Sequence, residues 1–251
     1  MPATTLAIGM RCVGRSPPTV WRTIASLRRA GLLVGAGTPL HFFVDGPFAE
    51  LERLAGHGRL TWHGQPVGGW PNFLLAATEL HLREPDAAHY LLVEDDVVFC
   101  RDIGAYLDLQ RSGLDVASLY TSAQVEQRIR GRGAGFTRLN PGWHVSSGAL
   151  ALLFSNARLE QFLASDFVRG YRRRPPTDLD PRHFRRDGLH HTDCVVGRFA
   201  AEAGCGIQYH WPSLAQHIGQ ASYMYPGFNG KGANRFSGDF PGEDASALTL
   251  D

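Results

Sequence analysis

Short apolar runs alternate with stretches of helical periodicity along the first half of the chain. Three runs predict buried strands, at residues 6–8, 40–44 and 90–93. Each of them is short and apolar and is followed by polar or glycine residues. Apolar positions recur at helical spacing between Ser16, a plausible N-cap, and Gly31, a natural stop. Residues 48–54 and 72–82 also predict helices. This alternation favours an α/β protein with a mainly parallel central sheet.

The second half of the chain is less regular. The segments that predict strands are 115–120, 148–154 and 207–211, and helices are expected to begin after Ser155 and at Thr192. Residues 127–140 are basic and glycine-rich, which is typical of a mobile loop. No repeat or linker divides the chain. We therefore expect one domain over residues 1–225 and a flexible flap or tail over residues 226–251, which are rich in Gly, Asn, Asp and Ser.

Composition excludes several classes of protein. The 251 residues are 43% hydrophobic and 20% charged, which supports a sizeable folded core. Lys+Arg is 25 against Asp+Glu 24, so no excess charge favours binding to nucleic acid. No apolar run approaches 18 residues, so no transmembrane helix is predicted. Four cysteines without CxxC spacing and the lack of a secretory signal favour a cytoplasmic protein with reduced thiols, and a disulfide is the less favoured alternative.

The most informative motif is a run of three acids, Glu94, Asp95 and Asp96, between two apolar strand segments. Charges beside a buried strand are costly unless they are paired or bind a cation, and hard divalent cations prefer carboxylate oxygens. Polar residues also follow the first two predicted strands, at 11–15 and at Asp45. Ligands of parallel α/β sheets bind beyond the carboxyl ends of the strands, so these segments predict one site. The alternative for the acids is a solvated turn.

With these residues, the chain resembles glycosyltransferases of the GT-A fold. It is most similar to the inverting N-acetylglucosaminyltransferases with a Glu-Asp-Asp form of the DXD metal motif, and to their bacterial relatives. The likeness covers the first strand–helix unit, the acidic triplet, the Gly148-Ala149 strand, the Thr192-Asp193 helix start and residues 212–219. It implies a Rossmann-like nucleotide-diphospho-sugar transferase domain that uses Mn²⁺ or Mg²⁺.

The resemblance assigns roles around the nucleotide sugar. It implies that Asp96 ligates the metal that bridges the diphosphate, and that Glu94 and Asp95 face the ribose or the transferred sugar. Asp45 matches the acid that often accepts the base N–H in uridine-binding members, although a plain Asp-Gly turn is equally open. Arg11 and Arg15 follow the first predicted strand and are expected to reach the nucleotide.

Three further residues complete the implied site. Asp193, at a helix start, matches the general base that takes a proton from the acceptor hydroxyl, and the alternative is an ordinary first-turn acid. His217 matches a second metal ligand, and the alternative is a hydrogen-bonded structural histidine. Lys231 lies in the predicted flap with Ser222, Tyr223 and Arg235, and any of them could touch the diphosphate.

The function that the resemblance implies is metal-dependent transfer of a sugar, from a UDP-sugar by preference, to an acceptor hydroxyl with inversion. Two alternatives stay open. A sugar nucleotidyltransferase also uses a parallel sheet and acids for metal, but residues 11–15 hold too little glycine for its phosphate loop. A non-catalytic module that binds nucleotide sugars is the other.

Overall fold

The computed structural model describes residues 6–33, 38–140, 149–171 and 192–219, and it confirms an α/β protein. The strands are β1 (Leu6–Val13), β2 (Leu40–Asp45), β3 (Arg59–His63), β4 (His89–Glu94), β5 (Val97–Phe99), β6 (Val116–Ser118), β7 (Gly135–Leu139), β8 (Ala151–Ser155), β9 (Ile207–Trp211) and β10 (Ala215–His217). The helices are α1 (Val20–Arg29), α2 (Leu51–Ala55), α3 (Gly69–Arg83), α4 (Ile103–Gln110), α5 (Ala123–Ile129), α6 (Asn156–Leu163), α7 (Asp166–Tyr171) and α8 (Thr192–Glu202).

The central sheet has eight strands in the order β3-β2-β1-β4-β8-β6-β9-β7. Strands β3, β2, β1 and β4 are mutually parallel, and β6 is parallel to β9. Strand β8 runs antiparallel to both β4 and β6, and β7 runs antiparallel to β9. Only β8 and β7 therefore oppose the common direction, which confirms the mainly parallel sheet. Strands β5 and β10 form a separate antiparallel ribbon.

Two apolar clusters cover the two faces of the sheet. Alternate residues of β4 divide between them, with Leu91 and Val93 in one cluster and Tyr90 and Leu92 in the other. Helix α1 packs against the first face, and α3, α6 and α8 supply the second. Strands that are buried on both faces read as continuous apolar runs, which is why β2 and β4 could be recognised in the sequence.

The structure corrects two predicted boundaries in the first half and adds one strand. Helix α1 begins at Val20 with Thr19 at its N-cap, not at Ser16. A residue that precedes a proline disfavours the helical conformation, and both Ser16 and Pro17 precede a proline. Strand β1 extends to Val13, so Arg11 lies within the strand and not after it. Strand β3 was not predicted, since its residues lie at the sheet edge and are mostly half-exposed or exposed.

The prediction of a mobile loop over residues 127–140 is wrong. Helix α5 ends at Ile129, a 3₁₀ turn spans Arg130–Arg132, and β7 follows. All five residues of β7 pair with β9, so the backbone of this polar stretch is held by a sheet ladder although its side chains are mostly half-exposed. The predicted tail over residues 226–251 lies outside the described residues.

Candidate active site

The carboxyl ends of β1, β2 and β4 bring the predicted polar residues to one edge of the sheet. In the strand register Val13 pairs with Asp45, and Arg11 pairs with Glu94. The chain then turns at Asp95 and Asp96 before β5. The segments 11–15, 45 and 94–96 therefore lie on neighbouring strands, as their places after predicted strands suggested.

Arg11 is a buried partner of the first acid of the triplet. Its Nη2 lies 2.6 Å from Glu94 Oε1, and its guanidinium also donates to the carbonyl oxygens of Gly69 and Ala149. The same group lies over the ring of Phe73, with 5.1 Å between the guanidinium carbon and the ring centroid. These contacts hold Glu94 beside the start of α3, and its side chain keeps 28% of its surface exposed.

Arg15 joins the other two acids. Its Nε lies 2.9 Å from Asp95 Oδ1 and its Nη2 lies 2.9 Å from Asp96 Oδ2. Both carboxylates are almost wholly buried, and Asp95 also accepts the backbone N–H of Val13 at 3.1 Å. Burial, together with the charge of Asp96, raises the pKa of Asp95 against the opposing effect of Arg15. One guanidinium thus bridges two neighbouring buried acids and compensates part of their charge.

Two residues of helix α1 that sequence reasoning missed bind the backbone of the acidic turn and of β5. The hydroxyl of Thr23 donates to the carbonyl oxygen of Asp95 at 2.8 Å and accepts the N–H of Val97. Ser26 makes the same pair of bonds with Phe99, accepting its N–H at 2.7 Å and donating to its carbonyl oxygen. The signal in the sequence is the occurrence of Thr and Ser on the apolar face of the helix.

The ribbon of β5 and β10 carries His217 to the acidic turn. His217 pairs with Val97, and the N–H of Ile218 donates to the carbonyl oxygen of Asp96 at 2.8 Å. His217 Nε2 then lies 2.9 Å from Asp96 Oδ2. Burial alone would lower the pKa of His217, but the hydrogen bond and the charge of Asp96 outweigh it and raise that pKa. In return His217 and Arg15 lower the pKa of Asp96, against the effect of its burial.

The chemistry of this pair fits a divalent cation. Two ligands at right angles around such an ion, each at about 2.1 Å, stand about 3 Å apart, which is the observed separation of Asp96 Oδ2 and His217 Nε2. Asp96 Oδ1 is buried and has no hydrogen-bond partner. Within the described ranges, no group of three or more His, Cys, Asp or Glu residues is arranged to hold a metal. A cation held by this pair would therefore take its further ligands from outside the described residues, solvent and substrate included.

Asp45 binds the protein's own backbone. It is buried, with Oδ1 accepting the N–H of Val67 at 2.6 Å and Oδ2 accepting the N–H of Gly68 at 3.0 Å. These bonds fix the chain immediately before α3, whose first residue, Gly69, contacts Arg11. A contact between Asp45 and a nucleotide base stays a prediction.

Asp193 lies in the first turn of α8, half-buried. Its Oδ1 accepts the N–H of Ala149 at 2.9 Å, and the carbonyl oxygen of Ala149 accepts a bond from Arg11. Burial of Tyr120 raises the pKa of its hydroxyl to about 12, and the charge of Asp193 adds to that effect. The backbone of Ala149 thus links Asp193 to the Arg11–Glu94 pair. Lys231, Ser222, Tyr223 and Arg235 lie outside the described residues.

Two other expectations concern the whole chain. None of the four cysteines, all within the described ranges, forms a disulfide. Among the helices that the structure describes, none has the length and apolar character needed to cross a bilayer.

Comparison with known proteins gives a distant likeness. No family model matches the sequence, and no curated protein does. Among solved structures, the crystal structure of S. aureus TarS, a glycosyltransferase, is similar over 63% of this chain and 29% of its own, with 13% sequence identity and a TM-score of 0.44. The chain therefore spans less than a third of that protein, and a likeness at this level carries no argument about activity.

Proposed function

We propose that this protein is a metal-dependent glycosyltransferase that moves a sugar from a nucleotide-diphosphate sugar to an acceptor hydroxyl. One observation supports the proposal above the others. The triplet Glu94, Asp95 and Asp96 stands at the carboxyl end of β4, with His217 at 2.9 Å from Asp96. Buried acids at the ligand-binding edge of a parallel sheet, beside an imidazole, form a donor set suited to a divalent ion.

In this proposal Asp96 and His217 hold Mn²⁺ or Mg²⁺. The ion would stabilise negative charge on the diphosphate as it leaves. Arg15 lies 2.9 Å from Asp96 Oδ2, so a diphosphate bound to that cation would also meet the positive charge of Arg15. Glu94 keeps an exposed fraction and is the member of the triplet best able to reach the ribose or the sugar. Asp95 is occupied by Arg15 and Val13, and acts by orienting Arg15.

Asp193 is the proposed general base. Inverting transfer requires a carboxylate that takes the proton of the acceptor hydroxyl. At the same time the hydroxyl oxygen bonds to the anomeric carbon, and the bond from that carbon to the diphosphate breaks. The bond from Ala149 N–H fixes the orientation of this carboxylate. The helix N-terminus stabilises the anion and weakens the base, so exclusion of water by bound substrates has to restore its strength.

The preference for UDP rests on the resemblance alone. Both oxygens of Asp45 accept backbone N–H groups, so its hydrogen bonds already serve the chain before α3. A panel of UDP-, GDP- and ADP-sugars therefore belongs in the first experiment.

The experiment is to incubate the protein with Mn²⁺ and each nucleotide sugar, and in a parallel arm with Mn²⁺, a nucleoside triphosphate and a sugar phosphate, and to identify the products. A glycosyltransferase releases the nucleoside diphosphate by slow hydrolysis even without an acceptor. A nucleotidyltransferase would instead release pyrophosphate from a nucleoside triphosphate and a sugar phosphate. A binding module would bind the nucleotide sugar and release neither. Absence of any nucleoside diphosphate release, with or without a panel of hydroxyl acceptors, would overturn the proposal.

A further inference from the structure

The guanidinium of Arg11 joins three segments of the chain inside the candidate active site. Its Nη2 donates to Glu94 Oε1 at 2.6 Å and to the carbonyl oxygen of Ala149 at 3.3 Å, and its Nη1 donates to the carbonyl oxygen of Gly69 at 3.2 Å. These acceptors stand at the end of β4, before β8 and at the start of α3. Arg11 is buried, so both terminal nitrogens serve acceptors of the protein away from solvent.

The backbone of Ala149 connects this guanidinium to the proposed general base. Its N–H donates to Asp193 Oδ1 at 2.9 Å, while its carbonyl oxygen accepts the bond from Arg11. The carbonyl oxygen of the next residue, Leu150, accepts the N–H of Glu94 at 2.9 Å. Residues 149 and 150 precede β8, and these bonds hold them against the end of β4. The direction of the Ala149 N–H therefore depends on the bond that Arg11 makes to the same residue.

We infer that Arg11 is a positioning residue for sugar transfer: it holds Ala149 so that the Ala149 N–H orients the carboxylate of Asp193 for proton removal from the acceptor. The sequence predicted instead that Arg11 reaches the nucleotide, but its burial and its three protein acceptors favour the positioning role. The inference rests on the proposed function. It adds a residue that acts through Asp193 without touching either substrate.

The test is Arg11→Lys, with Arg59→Lys as the matched control. Lysine keeps the positive charge beside Glu94 but lacks the planar fork that spans the three acceptors, whereas Arg59 is mostly exposed at the sheet edge. The rate is the release of nucleoside diphosphate in Mn²⁺ from whichever UDP-, GDP- or ADP-sugar the wild type consumes fastest. Calorimetry gives the Kd of the corresponding nucleoside diphosphate. We expect Arg11→Lys to slow release at least about tenfold and to change that Kd less than about threefold, and Arg59→Lys to match the wild type.

A double variant tests whether the effect of Arg11 passes through Asp193. Asp193→Asn removes the proposed base, so adding Arg11→Lys to it should slow release by less than about a further twofold. An equal fold loss with and without Asp193 would show that Arg11 acts independently of the base, and would overturn the inference. Slower release that is matched by weaker nucleoside diphosphate binding would place Arg11 on the nucleotide, and would overturn it as well. Release at the wild-type rate would do the same.

The outcomes separate this inference from the proposed function. If the wild type releases no nucleoside diphosphate from any sugar of the panel, both fall. If the wild type is active and Arg11→Lys behaves in one of the contrary ways, only the role of Arg11 is overturned. Should Arg11→Lys fail to fold, wild-type crystals grown with UDP and Mn²⁺ decide. The inference requires Arg11 to keep its bonds to Glu94 and Ala149 there, and a nucleotide oxygen hydrogen-bonded to its guanidinium contradicts it.

Discussion

His217 Nε2 lies 2.9 Å from Asp96 Oδ2, although 121 positions separate the two residues in the chain. The contact is made by the two-stranded ribbon of β5 and β10, which leaves the acidic turn on one side and returns beside it. A histidine near the end of the described chain is thereby brought to the acids that follow β4. This pair is the structural basis of the proposed metal site.

Arg15 is predicted to act as the counter-charge of the turn. Arg15→Gln leaves Asp95 and Asp96 buried without their guanidinium, and breaking a buried pair costs about 3–5 kcal/mol of unfolding free energy. A divalent cation that binds Asp96 replaces part of that charge. Thermal unfolding in EDTA and in saturating Mn²⁺ should therefore show a larger Mn²⁺-induced rise in melting temperature for Arg15→Gln than for the wild type.

The control for Arg15 is Arg59→Gln, because Arg59 is mostly exposed and pairs with Glu84 at the surface. Exposed pairs contribute little, so this variant should unfold as the wild type does under both conditions. If Mn²⁺ fails to recover any of the stability that Arg15→Gln loses, the cation does not bind at Asp96.

Asp193→Asn is predicted to abolish transfer while donor binding survives. Asparagine can still accept the N–H of Ala149 through its amide oxygen, but it cannot take a proton from the acceptor. We expect the transfer rate to fall at least about 100-fold, with the Kd for the nucleotide sugar changed less than about threefold. Transfer at the wild-type rate would mean that another group is the base, or that the reaction proceeds with retention.

His210 is predicted to make the fold sensitive to acid. It is buried, accepts the hydroxyl of Tyr106 at Nε2, and donates from Nδ1 to the carbonyl oxygen of Pro212. Burial lowers the pKa of His210 to about 4, so the imidazole is neutral in the folded protein and gains a proton near pH 6.5 when unfolded. Stability from this residue is full above pH 6.5 and falls as pH drops toward 4.

The loss over that range is roughly 3 kcal/mol. Urea unfolding of the wild type between pH 7 and pH 4.5 should therefore show a steeper fall in unfolding free energy than the same series on His210→Gln. Parallel curves for the two proteins would show that folding leaves the pKa of His210 unchanged.

The sequence predicted the edge of the sheet where the candidate site lies but not how its charges are paired. Strands β2 and β4 are apolar on both faces, so their carboxyl ends, and with them Asp45 and Glu94, could be located from the sequence. The burial of Arg11 within β1 could not be predicted from the sequence. An arginine is stable inside a buried strand only when a residue on a neighbouring strand compensates its charge. That partner, Glu94, is fixed by strand register, which one sequence does not reveal.

Long-range contacts account for the other differences. Nothing local distinguishes Gly219 from the other 28 glycines of the chain, and only the structure shows that a Cβ on this residue would overlap Asp96 Oδ2 and stand 2.8 Å from His217 Nε2. The composition of β7 is typical of a loop, but its pairing with β9 overrides that local tendency. Asp45 could be placed at a strand end, whereas the two N–H groups that it accepts lie 22 and 23 residues further on.

The most direct measurement of the central claim is the effect of Mn²⁺ on UDP affinity. Titration calorimetry with UDP in EDTA and in Mn²⁺ gives the coupling between the two ligands for the wild type and for Asp96→Asn. If the acids at the end of β4 hold a cation that binds the diphosphate, Mn²⁺ raises the affinity for UDP at least about tenfold in the wild type. In Asp96→Asn the same addition raises it less than about twofold. Equal UDP affinity in EDTA and in Mn²⁺ for the wild type would contradict the account.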